Sequence, residues 1–193
     1  MKSNNVIIQQ YKKNSILRML TREERNQITF WTKKKIHEII FNSEIDNWEM
    51  KTSVFDSLLE NKKELLIIIE DTNKNKFGGY CSSTIRKCSN YNYDKNIFLF
   101  SLQSNGRLNG MMKFEIKDTD GGYDIKPKSD DVLIQLGLGS GGTIHLKKSS
   151  LKSQSYCYQD NDYFDYLGIK NPLIGKPNLT PFTPKRIVVI QMK

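Results

Sequence analysis

Cysteine, histidine and long apolar runs are all scarce in this chain. Of 193 residues, three are cysteine and two are histidine. Cys81, Cys88 and Cys157 form an odd set with no CxxC pair, which excludes a disulfide scaffold at this size. Three free thiols suit a reducing compartment. Together with His37 and His145 they match no zinc-ligand spacing. The amino-terminal MKSNNVIIQQYKKN has no apolar region of signal-peptide length, and no run approaches a membrane span. A cytoplasmic protein is therefore expected. Repeats, low-complexity tracts and linkers long enough to divide two domains are also missing. Aromatic content is ordinary at 10%, so a globular chain with a real core is the expectation.

Acidic residues are outnumbered. The formal net charge is +9, with the excess toward the two ends of the chain. Such a balance permits peripheral contact with an anionic surface but does not specify one. Lys33, Lys34 and Lys35 read as a solvated face. Toward the C-terminus, Lys147, Lys148, Lys152, Lys185 and Arg186 supply most of the excess, and Tyr156, Tyr158, Tyr163 and Tyr166 lie among or near them. Bases could stack there. No RRM, KH or zinc-finger signature accompanies them, so nucleic acid is not expected.

The stretch Glu64 to Leu102 organises the rest. Leu65 to Ile69 is an apolar run of strand length with no alternation, which predicts burial on both faces. Asp71 to Lys76 supplies turn chemistry. Phe77-Gly78-Gly79-Tyr80 opens a second strand, whose paired glycines predict a bulge, a bend or a close backbone approach. Asn96 to Leu102 makes a third, completing an antiparallel meander. Before it, Thr21 and Glu24 fit a capping box for a helix from Arg22 to about Trp31. Ile36 to Phe41 follows as a strand. Thr52 or Ser53 can cap a helix with Val54, Phe55, Leu58 and Leu59 on one face. Beyond the meander, Met111–Ile116, Val132–Leu136, Thr143–Leu146 and Ile187–Ile190 read as strands. Asp118 to Asp131 reads as an acidic loop, and four prolines from Pro172 to Pro184 mark an irregular connection.

Several constellations imitate functional sites. Gly137, Gly139 and Gly142 fit GxGxxG after a strand, with Asp160 or Asp162 near the spacing of a ribose contact. A dinucleotide needs a helix next, and Thr143 to Lys147 alternates like a strand instead. A turn between adjacent strands is the better account. Asp71, Asn73 and Asn75 imitate an EF-hand start, but Lys76 replaces the required glycine and Ser82 the bidentate glutamate. Glu70 and Asp71, as strand neighbours, point to opposite faces. Asn178-Leu179-Thr180 matches a sequon and reads as a loop. No catalytic, cofactor-binding or metal-ligating residue is assigned, and no cofactor is expected.

FGGY after a hydrophobic strand, then FLFSL, then LGLGSGG resembles the TLDc domain in order and spacing. The resemblance covers Trp31 to Lys193 and leaves residues 1–30 as a partly helical N-terminal extension of a 31–193 domain. It implies an α+β, mainly β fold in which two antiparallel sheets pack as a sandwich with flanking short helices, as the strand pattern itself predicts. It also implies a non-catalytic protein-interaction module, linked in relatives to oxidative-stress protection and to the vacuolar proton-pump ATPase as partner. The LysM, GTPase-activating and EF-hand domains that accompany many relatives are not in this sequence. The alternative is an enzyme with a thiol-based pocket acting in peroxide defence.

Overall fold

Leu65 to Ile69 are all buried, because the strand they form is covered on both faces. Leu65, Ile67 and Ile69 join one apolar cluster, and Leu66 and Ile68 join another on the opposite side. The C-terminal run divides in the same way: Ile187 and Val189 enter the first cluster, Val188 and Ile190 the second. A period of two thus feeds two cores from one strand.

The computed structural model describes residues 18–86, 91–117, 121–137, 143–149, 154–159 and 163–193. Its elements in chain order are α1 (Arg22–Thr32), β1 (Ile36–Asn42), α2 (Phe55–Leu59), β2 (Leu65–Asp71), β3 (Lys76–Cys81), β4 (Asn92–Tyr93) and β5 (Phe98–Gln103). There follow β6 (Met112–Glu115), β7 (Gly122–Ile125), β8 (Val132–Leu136), β9 (Ile144–Lys147), β10 (Ser155–Cys157), β11 (Pro181–Phe182) and β12 (Pro184–Met192). The first sheet runs β1-β12-β2-β3-β5-β6 and the second β11-β10-β9-β8-β7-β4. The neighbouring strands are antiparallel in both. The first apolar cluster lies between the sheets and the second lies under α1, on the outer face of the first sheet. The expected mainly β sandwich is the observed fold.

Helix α1 begins with the expected capping box. Thr21 Oγ1 accepts from the Glu24 amide at 3.1 Å, and the Glu24 carboxylate accepts from the Thr21 amide at 2.8 Å. Glu24 also receives Lys76 Nζ at 2.8 and 2.9 Å, an ion pair with both side chains 8% exposed. Met19, Leu20 and Ile28 pack with Leu66, Ile68 and Val188 beneath the helix.

The paired glycines serve close approach. A Cβ on Gly78 would lie 1.9 Å from the Ile67 carbonyl oxygen, inside the sheet. One on Gly79 would lie 2.9 Å from Leu136 Cδ1, across the sandwich. Gly79 therefore lets β8 pack down on β3.

Three expectations are corrected. The supposed loop 118–131 contains β7, in which Tyr123 and Ile125 face the core and Asp124 does not. Four residues flanked by glycine, lysine and proline are too short for a periodicity to emerge. The meander is interrupted in sequence, since β4 leaves for the second sheet between β3 and β5. Helix α2 starts at Phe55 with Val54 as N-cap and no side-chain cap bond, although Ser53 Oγ does accept from the Phe55 amide at 3.2 Å.

Candidate functional site

Helix α1 roofs only part of the outer face of the first sheet. Where it ends, a cleft of about 470 Å³ opens toward the edge strand β6. Its floor is aromatic. Phe98 stacks on Tyr80 with centroids 5.1 Å apart and meets Trp31 edge to face at 6.5 Å. Strands β3 and β5 bring Tyr80 and Phe98 opposite each other in register. Lys113 Nζ from β6 lies 5.2 Å from the Phe98 centroid, within cation–π range.

The rim is charged. Lys34, just past the end of α1, pairs with Glu64 at 3.3 Å. Tyr80 donates its hydroxyl to the other Glu64 oxygen. Burial, followed by this hydrogen bond, raises the Tyr80 phenol well above its ordinary range, so it stays a donor. Glu64 itself has φ +57°, a left-handed conformation unusual for glutamate, and its carbonyl accepts from the Met192 amide at 2.8 Å. Lys113 also pairs with Glu115, whose side chain is 69% exposed. Lys95 stands exposed on the loop before β5.

That loop is held firmly. The buried Asp94 carboxylate accepts from the Ser82 amide, from Ser82 Oγ at 2.7 Å, from the Ser83 amide at 3.0 Å and from the Asn96 amide at 3.0 Å. Lys95 and Asn96 are therefore presented from a fixed backbone.

The residues singled out by pattern have other employment. Asp71 is buried and binds Asn75 twice, through the amide at 2.8 Å and Nδ2 at 2.7 Å, closing the β2–β3 hairpin. Glu70 points away and pairs with Lys185 at 3.0 Å. Gly137 has φ +111° and follows directly on β8, and where the described chain resumes at Thr143 it enters β9, which pairs antiparallel with β8. Gly139, Gly142, Asp160, Asp162, Cys88 and Lys152 lie outside the described residues. His37 is exposed and meets Lys193 Nζ at 2.7 Å.

Among the described residues, the C-terminal cations are not a free basic patch. Lys148 is 2% exposed and donates to the carbonyls of Pro127 and Asp130. Lys147 pairs with Asp131 at 2.6 Å and Arg186 with Glu44 at 2.6 Å. Of the lysine triplet, Lys33 lies 4.0 Å over the Phe30 ring while Lys34 turns into the cleft. The tyrosines do not form one stacking surface either, since Tyr156 packs on His145 and Tyr166 on Phe114.

A family model for the TLDc domain matches residues 2–186. The chain belongs to the TLDc family. No curated protein shows significant similarity to it. Within this TLDc fold, FGGY is most of β3 and FLFSL most of β5, the strands over which the cleft lies.

Thiol chemistry finds no support in the described part of the TLDc chain. Cys81 and Cys157 are free and fully buried in the sandwich core. Burial is the main reason that both thiols are held well above the ordinary range, and nearby Asp94 and Asp71 respectively add to it. His145 sits on the outer face of the second sheet, stacked 4.6 Å from Tyr156 and touching Gln135. Its Nδ1 is buried and finds no hydrogen-bond partner among the described residues. Burial, then Lys147, lowers its pKa to about 4, so it is neutral at physiological pH. No group of three potential metal ligands occurs among the described residues.

Proposed function

We propose that this TLDc chain is a non-catalytic protein-interaction module that acts through surface contacts. One observation carries the reading. The described thiols are buried and protonated, whereas an aromatic, lysine-rimmed cleft stands open on a rigid frame. A nucleophile must be reachable and ionisable, and a docking surface needs fixed aromatic and charged groups at the surface. Family resemblance extends the reading to oxidative-stress protection, to the vacuolar proton-pump ATPase as partner, and to a cytoplasmic location. Among the described residues no helix is long and apolar enough to cross a membrane.

The test combines binding and turnover. The full chain is titrated against the purified peripheral sector of the proton pump, and separately incubated with hydrogen peroxide. Saturable binding without peroxide consumption is expected. Peroxide consumption that is lost in a variant with all three cysteines changed to serine would establish the thiol-enzyme alternative instead.

A further inference from the structure

We propose that the cleft between the end of α1 and the edge strand β6 docks a short acidic segment of a partner protein, one that carries a large apolar side chain beside its carboxylate. This rests on the reading of the chain as an interaction module, and names the surface and the chemistry.

The apolar half of the recognition comes from the floor. The Phe98 ring is backed by Tyr80, and Trp31, only half-buried, forms the wall beside it. Tyr80 and Phe98 are themselves only 5% and 6% exposed, so the aromatic surface that a large apolar side chain would cover there is chiefly that of Trp31. The cavity of about 470 Å³ falls within the ~300–1,000 Å³ typical of ligand sites.

The anionic half follows from which charges are already committed. Glu64 is tied to both Lys34 and Tyr80, so its charge is answered within the wall. Glu115 is 69% exposed, and an exposed ion pair holds Lys113 weakly. Lys95 takes part in none of the ion pairs among the described residues. Lys95 and Lys113 are therefore the cations available to an incoming carboxylate. Because Asp94 fixes the loop that presents Lys95, the ordering cost of binding there falls on the lysine side chain and not on the backbone.

An anionic membrane fits less well. Membrane recruitment uses clusters of about four to eight basic residues, and this rim mixes three lysines with two glutamates.

The test pans a randomised dodecapeptide phage library against the full chain, and measures affinities of the recovered peptides as synthetic molecules. Wild type is compared with Lys95→Glu/Lys113→Glu and with Trp31→Ala; a melting curve confirms that each is folded, and Lys95→Ala substitutes if the double variant is not. Recovered peptides should pair Asp or Glu with Phe, Trp or Leu. Their affinity should fall at least tenfold in the double variant and weaken with salt. Trp31→Ala should weaken binding while leaving the salt dependence in place. Absence of any enriched peptide, enrichment without the acidic–apolar pairing, or equal binding to the double variant overturns the proposal. Co-sedimentation with phosphatidylserine vesicles that needs Lys95 and Lys113, with no peptide recovered, would assign the cleft to a headgroup and also overturn it. If the double variant binds the pump sector as wild type does while no peptide is recovered, the cleft proposal fails and the module reading stands. Peroxide turnover without any protein binding sinks both.

Discussion

The two sheets turn very different faces outward. The first presents Leu66, Ile68, Phe98, Phe100, Val188 and Ile190, an apolar surface that must be covered. Helix α1 covers it and is pinned by the buried Glu24–Lys76 pair. The second presents a polar ladder in which Asp124, Gln135, His145 and Tyr156 face one another in register across β7, β8, β9 and β10. Along that ladder Lys126 pairs with Asp124 and His145 stacks on Tyr156, while Asp124 Oδ1 and His145 Nδ1 find no hydrogen-bond partner among the described residues. The contrast explains why the cleft lies where it does. The eleven-residue helix ends at Thr32, and just past its end the cleft opens with the half-buried Trp31 in its wall.

The sharpest way to break this picture is Gly78→Val. The close approach of Gly78 to Ile67 belongs to the first sheet, and a Cβ there has no room. Urea denaturation should show a loss of about 3 kcal/mol or more. An unchanged midpoint would mean that the strands are not so tightly apposed.

Lys76→Met comes next. It strands the Glu24 carboxylate under α1 and should cost about 3 kcal/mol by the same assay. The matching substitution on the second sheet, Lys147→Met, breaks a pair with the 49% exposed Asp131 and should cost at most about 1 kcal/mol. Equal losses would erase the distinction between the faces.

His145 gives the second sheet a pH signature. Its folded pKa of about 4 lies below the ordinary 6.5. The unfolded chain therefore binds a proton over this window that the native chain refuses. The stabilising contribution is complete above about pH 6.5 and is lost as pH falls toward 4. Lys147 and Lys126 favour the neutral ring, and Asp131 and Asp130 oppose them. Comparing wild type with His145→Gln across that window should reveal roughly 1–2 kcal/mol of pH-dependent stability, allowing for solvent screening. Parallel profiles would show that the ring titrates normally.

The smallest expected effect is that of reductant. Cys81 and Cys157 are free, so urea midpoints with and without reductant should agree within about 0.5 kcal/mol. A large drop on reduction would reveal a bridge.

The first sheet was far more legible than the second. Leu65–Ile69 and Ile187–Ile190 are unbroken apolar runs, and Phe98–Leu102 is interrupted only by Ser101, because both their faces are buried. The Thr21–Glu24 box and the FGGY glycines were readable because each answers a local backbone need. β4, β7 and β11 run only two to four residues, so no alternation accumulates. The cleft was invisible for another reason. Lys34, Glu64, Tyr80, Lys95, Phe98 and Lys113 come from separate elements, and each taken alone reads as a turn, strand or surface residue. The C-terminal cations suggested a contact surface that folding largely removes, since charge counts do not show that Lys148 is enclosed by two carbonyls or Arg186 joined to Glu44.

Amide hydrogen exchange of the full chain, alone and with the purified peripheral sector of the proton pump, tests the central claim most directly. Contact through the cleft predicts slowed exchange in the loop around Lys95 and along β6, with β8 and β9 unchanged. Protection confined to the outer face of the second sheet, or none anywhere, would contradict it.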